Sequence, residues 1–167
     1  MLKKIIPIEN LIYQSTLRSE ELSAHLKNVI GVGLKEDNYS TVYIGKVLPK
    51  RFEIKRVISY RNSFLPIISG EISDGINGTK VNVNMKLHPF VKTFMIFWLS
   101  GTLLASVAST YNFLFSSEPK PDGGKMVFIP LLMLVFGIGL VVIAFKAESQ
   151  KSIKDLEKLL NARIVEN

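Results

Sequence analysis

The strongest pattern in the second quarter of the chain is an alternation of apolar and polar positions. It is clearest in TKVNVNMKL, residues 79–87, where the two valines, Met85 and the final leucine would share one face. A period of two is typical of a β-strand with one buried face. Turn dipeptides such as Asn77-Gly78 separate the alternating stretches, so the pattern predicts consecutive antiparallel strands between residues 40 and 88.

A helical spacing of apolar residues precedes these strands. Ser19 is a suitable N-cap, two glutamates follow it in the positive first turn, and Gly31 can end the helix. Before Ser19, the segment NLIYQSTL, residues 10–17, has the composition of a short strand. The order of one strand, one helix and four further strands predicts an α+β domain with an antiparallel sheet over residues 1–89.

Two long uncharged stretches follow this domain. FMIFWLSGTLLASVASTYNFLF, residues 94–115, has 22 residues, and MVFIPLLMLVFGIGLVVIAF, residues 126–145, has 20. A helix rises about 1.5 Å per residue, so about 20 residues cross a hydrocarbon core of about 30 Å. We therefore predict transmembrane helices over residues 90–115 and 126–145. Because residues 116–125 form a short polar loop between them, the two helices should be an antiparallel hairpin.

Basic residues are unequally divided between the two sides of the predicted hairpin. The loop carries Lys120 and Lys125. The flanking segments carry eight basic residues: Lys80, Lys86, Lys92, Lys146, Lys151, Lys154, Lys158 and Arg163. Because basic residues near the ends of spans are enriched on the cytoplasmic side, the asymmetry predicts that both termini are cytoplasmic and that the loop is outside.

The first predicted span carries a face of small residues at helical spacing: Gly101, Ala105, Ala108 and Ser109. Small residues let helices approach closely in lipid, where burial of apolar area does not drive their association. Gly137 and Gly139 lie at the same depth in the second span. We therefore expect these two faces to pack against each other within the hairpin. The alternative is that the small-residue face contacts a partner membrane protein or a second copy of the chain.

After the second span the helical spacing continues through KAESQKSIKDLEKLLNAR, residues 146–163. An apolar stripe that includes Ile153 and Leu156 is extended by Ile164. Such a stripe needs an apolar surface to cover it. The segment 146–167 is therefore predicted to be a cytosolic amphipathic helix that packs on the sheet.

The formal net charge of +7 is modest and diffuse, with a sequence pI near 9.6. A nucleic-acid-binding surface would need a denser cluster of basic residues, so we expect no nucleic acid and favour a neighbouring anionic bilayer. The first predicted hairpin holds the densest basic group: Lys50, Arg51, Lys55 and Arg56. We expect this group to contact lipid headgroups, with a solvated basic turn as the alternative. The alternation also places Arg56 on the same strand face as Phe52 and Ile54.

Residues that would catalyse a reaction or bind a metal are sparse. The chain has no cysteine, which excludes thiolate metal sites and cysteine nucleophiles. His25 and His88 are 63 residues apart and not in a metal-ligand spacing. Acidic pairs such as Glu36 and Asp37 fall in or near predicted turns, where solvated charges are the ordinary explanation. We therefore predict no cofactor, no metal and no enzymatic activity.

The stretch YRNSFLPIISGEI…GTKVNVNMKLHPFVKTFMIFW, residues 60–98, resembles that of small two-span membrane proteins of bacteria. The resemblance covers about a quarter of the chain and includes no catalytic motif. It implies a location in the bacterial inner membrane and assigns no activity, site residue or cofactor.

Three classes of function are compatible with these patterns. The first, which we favour, is a non-enzymatic membrane-anchored domain that binds a protein partner or scaffolds a membrane complex. The second is a module that binds a lipid or another apolar ligand at the inner face of the membrane. The third is an enzyme, for which the sequence offers no candidate catalytic residue.

Overall fold

The computed structural model describes residues 7–31, 42–75, 78–116 and 124–166. In chain order the elements are β1 (Ile8–Ser15), α1 (Ser19–Val29), β2 (Tyr43–Leu48), β3 (Arg51–Arg56), β4 (Ile67–Gly75), β5 (Gly78–Lys86), α2 (Pro89–Phe115), α3 (Phe128–Leu159) and β6 (Ala162–Glu166). A short 3₁₀ turn, Lys125–Val127, precedes α3. The predicted loop 116–125 lies largely outside the described residues.

The described residues fall into two compact units. The sheet unit comprises residues 7–88 and 144–166, and the helical unit comprises residues 89–143. The first part of α3 therefore belongs to the helical unit, and its last part, from Ala144 onward, belongs to the sheet unit.

The sheet unit is built on six strands in the order β2-β3-β4-β5-β1-β6. Every neighbouring pair is antiparallel. The α+β class and the antiparallel sheet predicted from the alternation are thereby confirmed. Each of the five strands expected before the first long helix is present, with bounds within a few residues of the sequence pattern.

The sixth strand corrects the prediction for the end of the chain. The helix that was expected to run through the C-terminal segment ends at Leu159. Asn161 then adopts a left-handed backbone with φ of 45°, a conformation that asparagine tolerates better than most residues. From Ala162 the chain is extended and pairs with β1, so Ile164 lies opposite Tyr13 in a strand and does not extend a helical stripe.

One face of the sheet is covered by α1 and by the last part of α3. Leu22 and Leu26 of α1 and Leu156 of α3 have no exposed surface. The Tyr13 hydroxyl donates to the Ile153 carbonyl at 3.3 Å, and the Ser15 hydroxyl donates to the Leu160 carbonyl at 2.6 Å. These contacts attach the end of α3 to β1.

In the helical unit, α2 and α3 are long and apolar enough to cross a membrane. Only 17% of the apolar window of α2 and 6% of that of α3 is buried within the structure. Large apolar side chains such as Phe97, Leu104, Phe136 and Ile143 are at least 70% exposed. Core helices of a soluble protein are mostly buried, so within the described part of the chain these helices do not form such a core.

Candidate functional site

The candidate site is the face of the sheet opposite α1 and α3, which we call the open face. No described element covers it, and its side chains are exposed or half-buried. Strand register aligns these side chains into rows that run across the sheet, because directly paired residues point to the same side. Two shallow depressions lie on this face, one centred on β2 and β3 and the other on β1, β4 and β5.

One row contains Lys86, the last residue of β5 before α2, and we call it the end row. Isoleucine and lysine alternate along it. Paired residues from β1 through β2 are, in order, Ile8, Lys86, Ile67, Lys55 and Ile44. Both lysines are exposed, and Ile8 is 43% exposed. The end row therefore combines positive charge with accessible apolar surface.

The next two rows are mostly polar and contain the carboxylates of the open face. The second row is Asn10, Asn84, Ser69, Glu53 and Lys46. The third row is Ile12, Asn82, Glu71, Arg51 and Leu48. Within the second row the Asn84 amide donates to the Asn10 side chain. Amides and paired charges of both signs make this part of the face suitable for hydrogen bonding to another protein surface.

On the covered side, β3 and α3 are joined by a cluster of charged side chains. The Arg56 guanidinium lies 3.2 Å from Asp155 Oδ2 and 3.8 Å from Glu148 Oε2. Lys151 Nζ lies 3.1 Å from Glu148 Oε1, and the Tyr60 hydroxyl donates to the same oxygen. Lys151 also lies 5.7 Å from the centre of the Tyr60 ring. The cluster has two cations and two carboxylates, so it is neutral overall.

Glu148 remains ionised although its side chain is only 4% exposed. Burial by itself would raise the pKa of Glu148, but the hydrogen bonds from Tyr60 and Lys151 and the charges of Lys151 and Arg56 outweigh burial. The pKa therefore lies below its ordinary value. A carboxylate held ionised in this way is neutralised by fixed partners, which is typical of a structural ion pair.

Beside this cluster, the hydroxyls of Tyr43 and Ser152 are buried next to each other. Burial raises the pKa of Tyr43 to about 12, while the neighbouring Ser152 hydroxyl lowers it in part. No contact of either oxygen with the described residues meets hydrogen-bond geometry. Tyr43 is therefore a neutral phenol over the physiological range, and it is no candidate for a general base.

The structure divides the four residues predicted to contact the membrane surface. Lys50, Arg51 and Lys55 are exposed, the first two at the β2–β3 turn and Lys55 in the end row. Arg56 is not on that surface, because strand alternation turns its side chain to the covered face, where it meets Glu148 and Asp155. Its side chain therefore does not lie with those of the other three, and lipid contact by this group stays a prediction.

Of the residues predicted to pack the two small-residue faces together, the structure places only Gly137 against the other helix, and the packing role of the set stays a prediction. A Cβ added at Gly101 or at Gly139 would meet no atom within 4 Å, whereas one at Gly137 would lie 3.4 Å from Trp98 Nε1. Ala105 and Ala108 are exposed and Ser109 is half-buried. The buried positions of α2 are instead Met95, Thr102 and Ser106. Thr102 and Ser106 hydroxyls donate to carbonyls of their own helix, so this buried face is internally hydrogen-bonded.

Within the described residues, no group of three histidine or acidic side chains is placed to hold a metal ion. His25 is exposed on α1, far along the chain from the charged cluster. The geometry thus assembles ion pairs and an accessible face, and neither arrangement activates a nucleophile.

The chain was compared with protein families, curated proteins and solved structures. No family model, curated protein or solved structure matches it. The resemblance of residues 60–98 to two-span bacterial proteins stays an expectation, and the interpretation of the open face rests on its own geometry.

Sequence reasoning missed the charged cluster. Glu148, Lys151, Ser152 and Asp155 have the spacing i, i+3, i+4 and i+7, which places them on one helix face. That face lies beside the apolar stripe containing Leu156. Charged residues beside an apolar stripe indicate that the sheet surface on which the helix packs carries charged partners. Arg56 was the available partner, because it shares a strand face with Phe52 and Ile54.

Proposed function

We propose that the protein is a non-enzymatic membrane-anchored domain that binds a partner protein and holds it in a membrane complex. Its α2 and the apolar first part of α3 cross the plasma membrane, with both termini in the cytoplasm. In this proposal the sheet unit is the interaction module, and the second and third rows of the open face are its binding surface.

Membrane anchoring is supported by the exposure of the apolar helices. Their uncharged stretches expose a continuous run of large side chains such as Phe97, Leu104 and Phe136. Exposed apolar patches of this extent on a soluble protein would drive association. The hydrocarbon core of a membrane would surround these apolar side chains without contact with water. The backbone of a helix forms its hydrogen bonds internally, so it needs no further partner there.

The single observation that carries the interaction function is the difference between the two faces of the sheet. One face is closed by α1 and the end of α3, with side chains such as Tyr13 and Leu156 fully buried. The other exposes rows of asparagine, glutamate and basic side chains that no described element covers. A sheet with one covered face presents its other face to solvent or to a partner.

The test is site-specific photo-crosslinking of the full chain in native membranes. A photoreactive residue is placed at Asn82 in the third row, and a control is placed at Lys154 on the exposed side of α3. We expect one defined protein adduct from Asn82 and none of the same mass from Lys154. Introducing Asn84→Arg beside the probe should abolish that adduct, because a bulky charge blocks the second row.

Two results would contradict the interaction function. Adducts of equal pattern from Asn82 and Lys154 would show non-specific collision with crowded membrane proteins. Adducts from Asn82 that survive Asn84→Arg would show that the partner does not sit on the open face.

A further inference from the structure

We propose that the end row of the open face docks on the anionic phospholipid surface of the membrane in which the chain is anchored. The proposal rests on the membrane crossing proposed above, and it adds the chemical class of the surface that orients the sheet unit. Its contact residues are Lys55 and Lys86, with Ile8, Ile44 and Ile67 between and beside them.

The charge of the open face is segregated along the strands. The end row contains two lysines and no carboxylate, whereas Glu53 and Glu71 lie in the second and third rows. Among the described residues, neither Lys55 nor Lys86 takes part in an ion pair. The end row therefore has charge complementary to anionic headgroups, and of the carboxylate-free rows it is the one that contains Lys86, close in the chain to the start of α2.

Chain connectivity keeps the end row beside the bilayer surface. Lys86 is the last residue of β5, and α2 begins at Pro89. Three residues span at most about 10 Å, which is comparable to the Debye length of about 8–10 Å at physiological salt. Lys55 lies two strand spacings from Lys86, on the order of 10 Å further along the row. The Lys86 ammonium group is thus within electrostatic reach of headgroups, and the Lys55 ammonium group reaches them when the end row lies along the bilayer surface, which is the orientation proposed.

The isoleucines of the end row fit the same surface. Ile8, Ile44 and Ile67 are exposed or half-buried although they are apolar. A surface that alternates lysine stems with branched apolar side chains suits the boundary between headgroups and acyl chains.

The absence of cysteine in the chain makes single-cysteine labelling direct. A fluorophore is attached at Ser69→Cys in the second row or at Ser73→Cys, four residues further along β4. The strand rise puts the two labels about 13 Å apart along the strand. The full chain is reconstituted in nanodiscs that carry headgroup-attached quenchers. One set contains phosphatidylcholine alone, and the other also contains phosphatidylglycerol.

Docking predicts strong quenching of the Ser69 label in the anionic nanodiscs and weaker quenching in the neutral ones. The Ser73 label should be quenched little in either. Raising the salt concentration should abolish the difference between the two lipid compositions, because headgroup attraction is screened.

The decisive comparison uses two double variants with the same change in charge. Lys55→Gln with Lys86→Gln removes the end-row lysines. Lys80→Gln with Arg163→Gln removes two exposed cations from further along the same face, outside the second and third rows. Each end-row lysine should contribute roughly fivefold to the ratio of docked to undocked molecules, and the control pair should leave that ratio near the wild-type value. An unchanged helix signal in circular dichroism verifies that both variants are folded.

Equal quenching in neutral and anionic nanodiscs, or equal loss in both double variants, would overturn the docking proposal. Failure of the membrane crossing is distinguished by alkaline carbonate extraction. A protein released by carbonate is not inserted, and the proposed function itself then fails. A protein that stays inserted but shows no dependence on anionic lipid disproves only the docking.

Discussion

Glu148 is the residue at which the contacts on the covered face converge. It accepts from Tyr60 and Lys151 and lies 3.8 Å from the Arg56 guanidinium, although its side chain is nearly inaccessible to solvent. A buried carboxylate stabilises a fold only when its charge is compensated, and here three partners from β3, the β3–β4 connection and α3 compensate it. The lowered pKa makes this stabilisation depend on pH in a defined direction.

We expect Glu148→Gln to lower stability at neutral pH, with a difference from wild type that shrinks as the pH falls. The folded-state pKa lies below the ordinary value of 4.5. The contribution of the ionised carboxylate is therefore complete above pH 4.5 and is lost as the pH falls through the folded-state pKa. Thermal unfolding in detergent at several pH values measures this contribution as the difference in Tm between the variant and the wild type. Each kcal/mol of unfolding free energy corresponds to a Tm difference of about 2–4 °C.

Glu157→Gln is the matched control, because Glu157 is an exposed residue of the same helix outside the cluster. It should follow the wild-type curve. A constant difference between wild type and Glu148→Gln from neutral to acidic pH would show that the carboxylate is not ionised in the folded protein.

At the scale of elements, alternate residues of β3 point to opposite faces of the sheet, so neighbouring basic residues of this strand lie in different environments. Phe52, Ile54 and Arg56 point to the covered face, and Lys55 points to the open face. Adjacent basic residues of one strand therefore have unrelated roles. Arg56 attaches the sheet to α3, and Lys55 belongs to an accessible row.

Replacing these neighbours by glutamine should change the free energy of unfolding by different amounts in detergent at neutral pH. Arg56→Gln leaves Asp155 without its cation and weakens the compensation of Glu148, so we expect a loss of about 1–3 kcal/mol in unfolding free energy. Lys55→Gln should change it by less than about 0.5 kcal/mol. Thermal or denaturant unfolding followed by circular dichroism provides the comparison, and equal losses would contradict the assignment of the two faces.

Composition and strand alternation were enough to predict five strands, and alternation also predicted the buried faces of β3 and β5, because hydrophobic periodicity reports directly which side faces a core. Two features could not be predicted from this periodicity: the strand β6 and the packing face of α2. β6 follows a long helical stripe, and its helix-ending signal is a single left-handed Asn161 that a sequence pattern does not distinguish from helix. The packing face of α2 depends on Trp98 fitting beside Gly137, a matter of shape that small-residue spacing does not encode.

On the scale of the whole molecule, the helical unit interrupts the sheet unit in the sequence. Residues 89–143 lie between β5 and the end of α3, and the sheet unit resumes at Ala144. A pair of spans inserted in this way requires both of its ends to be on one side of the membrane. The covalent order is thus compatible with the proposal that both termini lie on one side, and it does not distinguish the cytoplasmic from the outer side.

We expect reporter fusions to give opposite signals at the C-terminus and in the loop. A reporter active only outside the cytoplasm should be silent after the last residue and active when inserted in residues 116–125. A cytoplasm-active reporter provides the control and should show the reverse. If the first reporter is active after the last residue, the topology and the cytoplasmic location of the sheet unit are both wrong.

The pairing of β6 with β1 also has a consequence for synthesis of the protein. β1 is made first and lies between β5 and β6 in the finished sheet. One of its edges therefore stays without a neighbour until the ribosome has produced the whole membrane insertion and the final strand. At about 5–20 residues per second, the interval between completing β5 and β6 is on the order of 4–16 s. During that time the nascent chain has a free strand edge, and an unpaired edge is a template for wrong pairing. The strand order thus makes β6 the strand that closes this edge of β1.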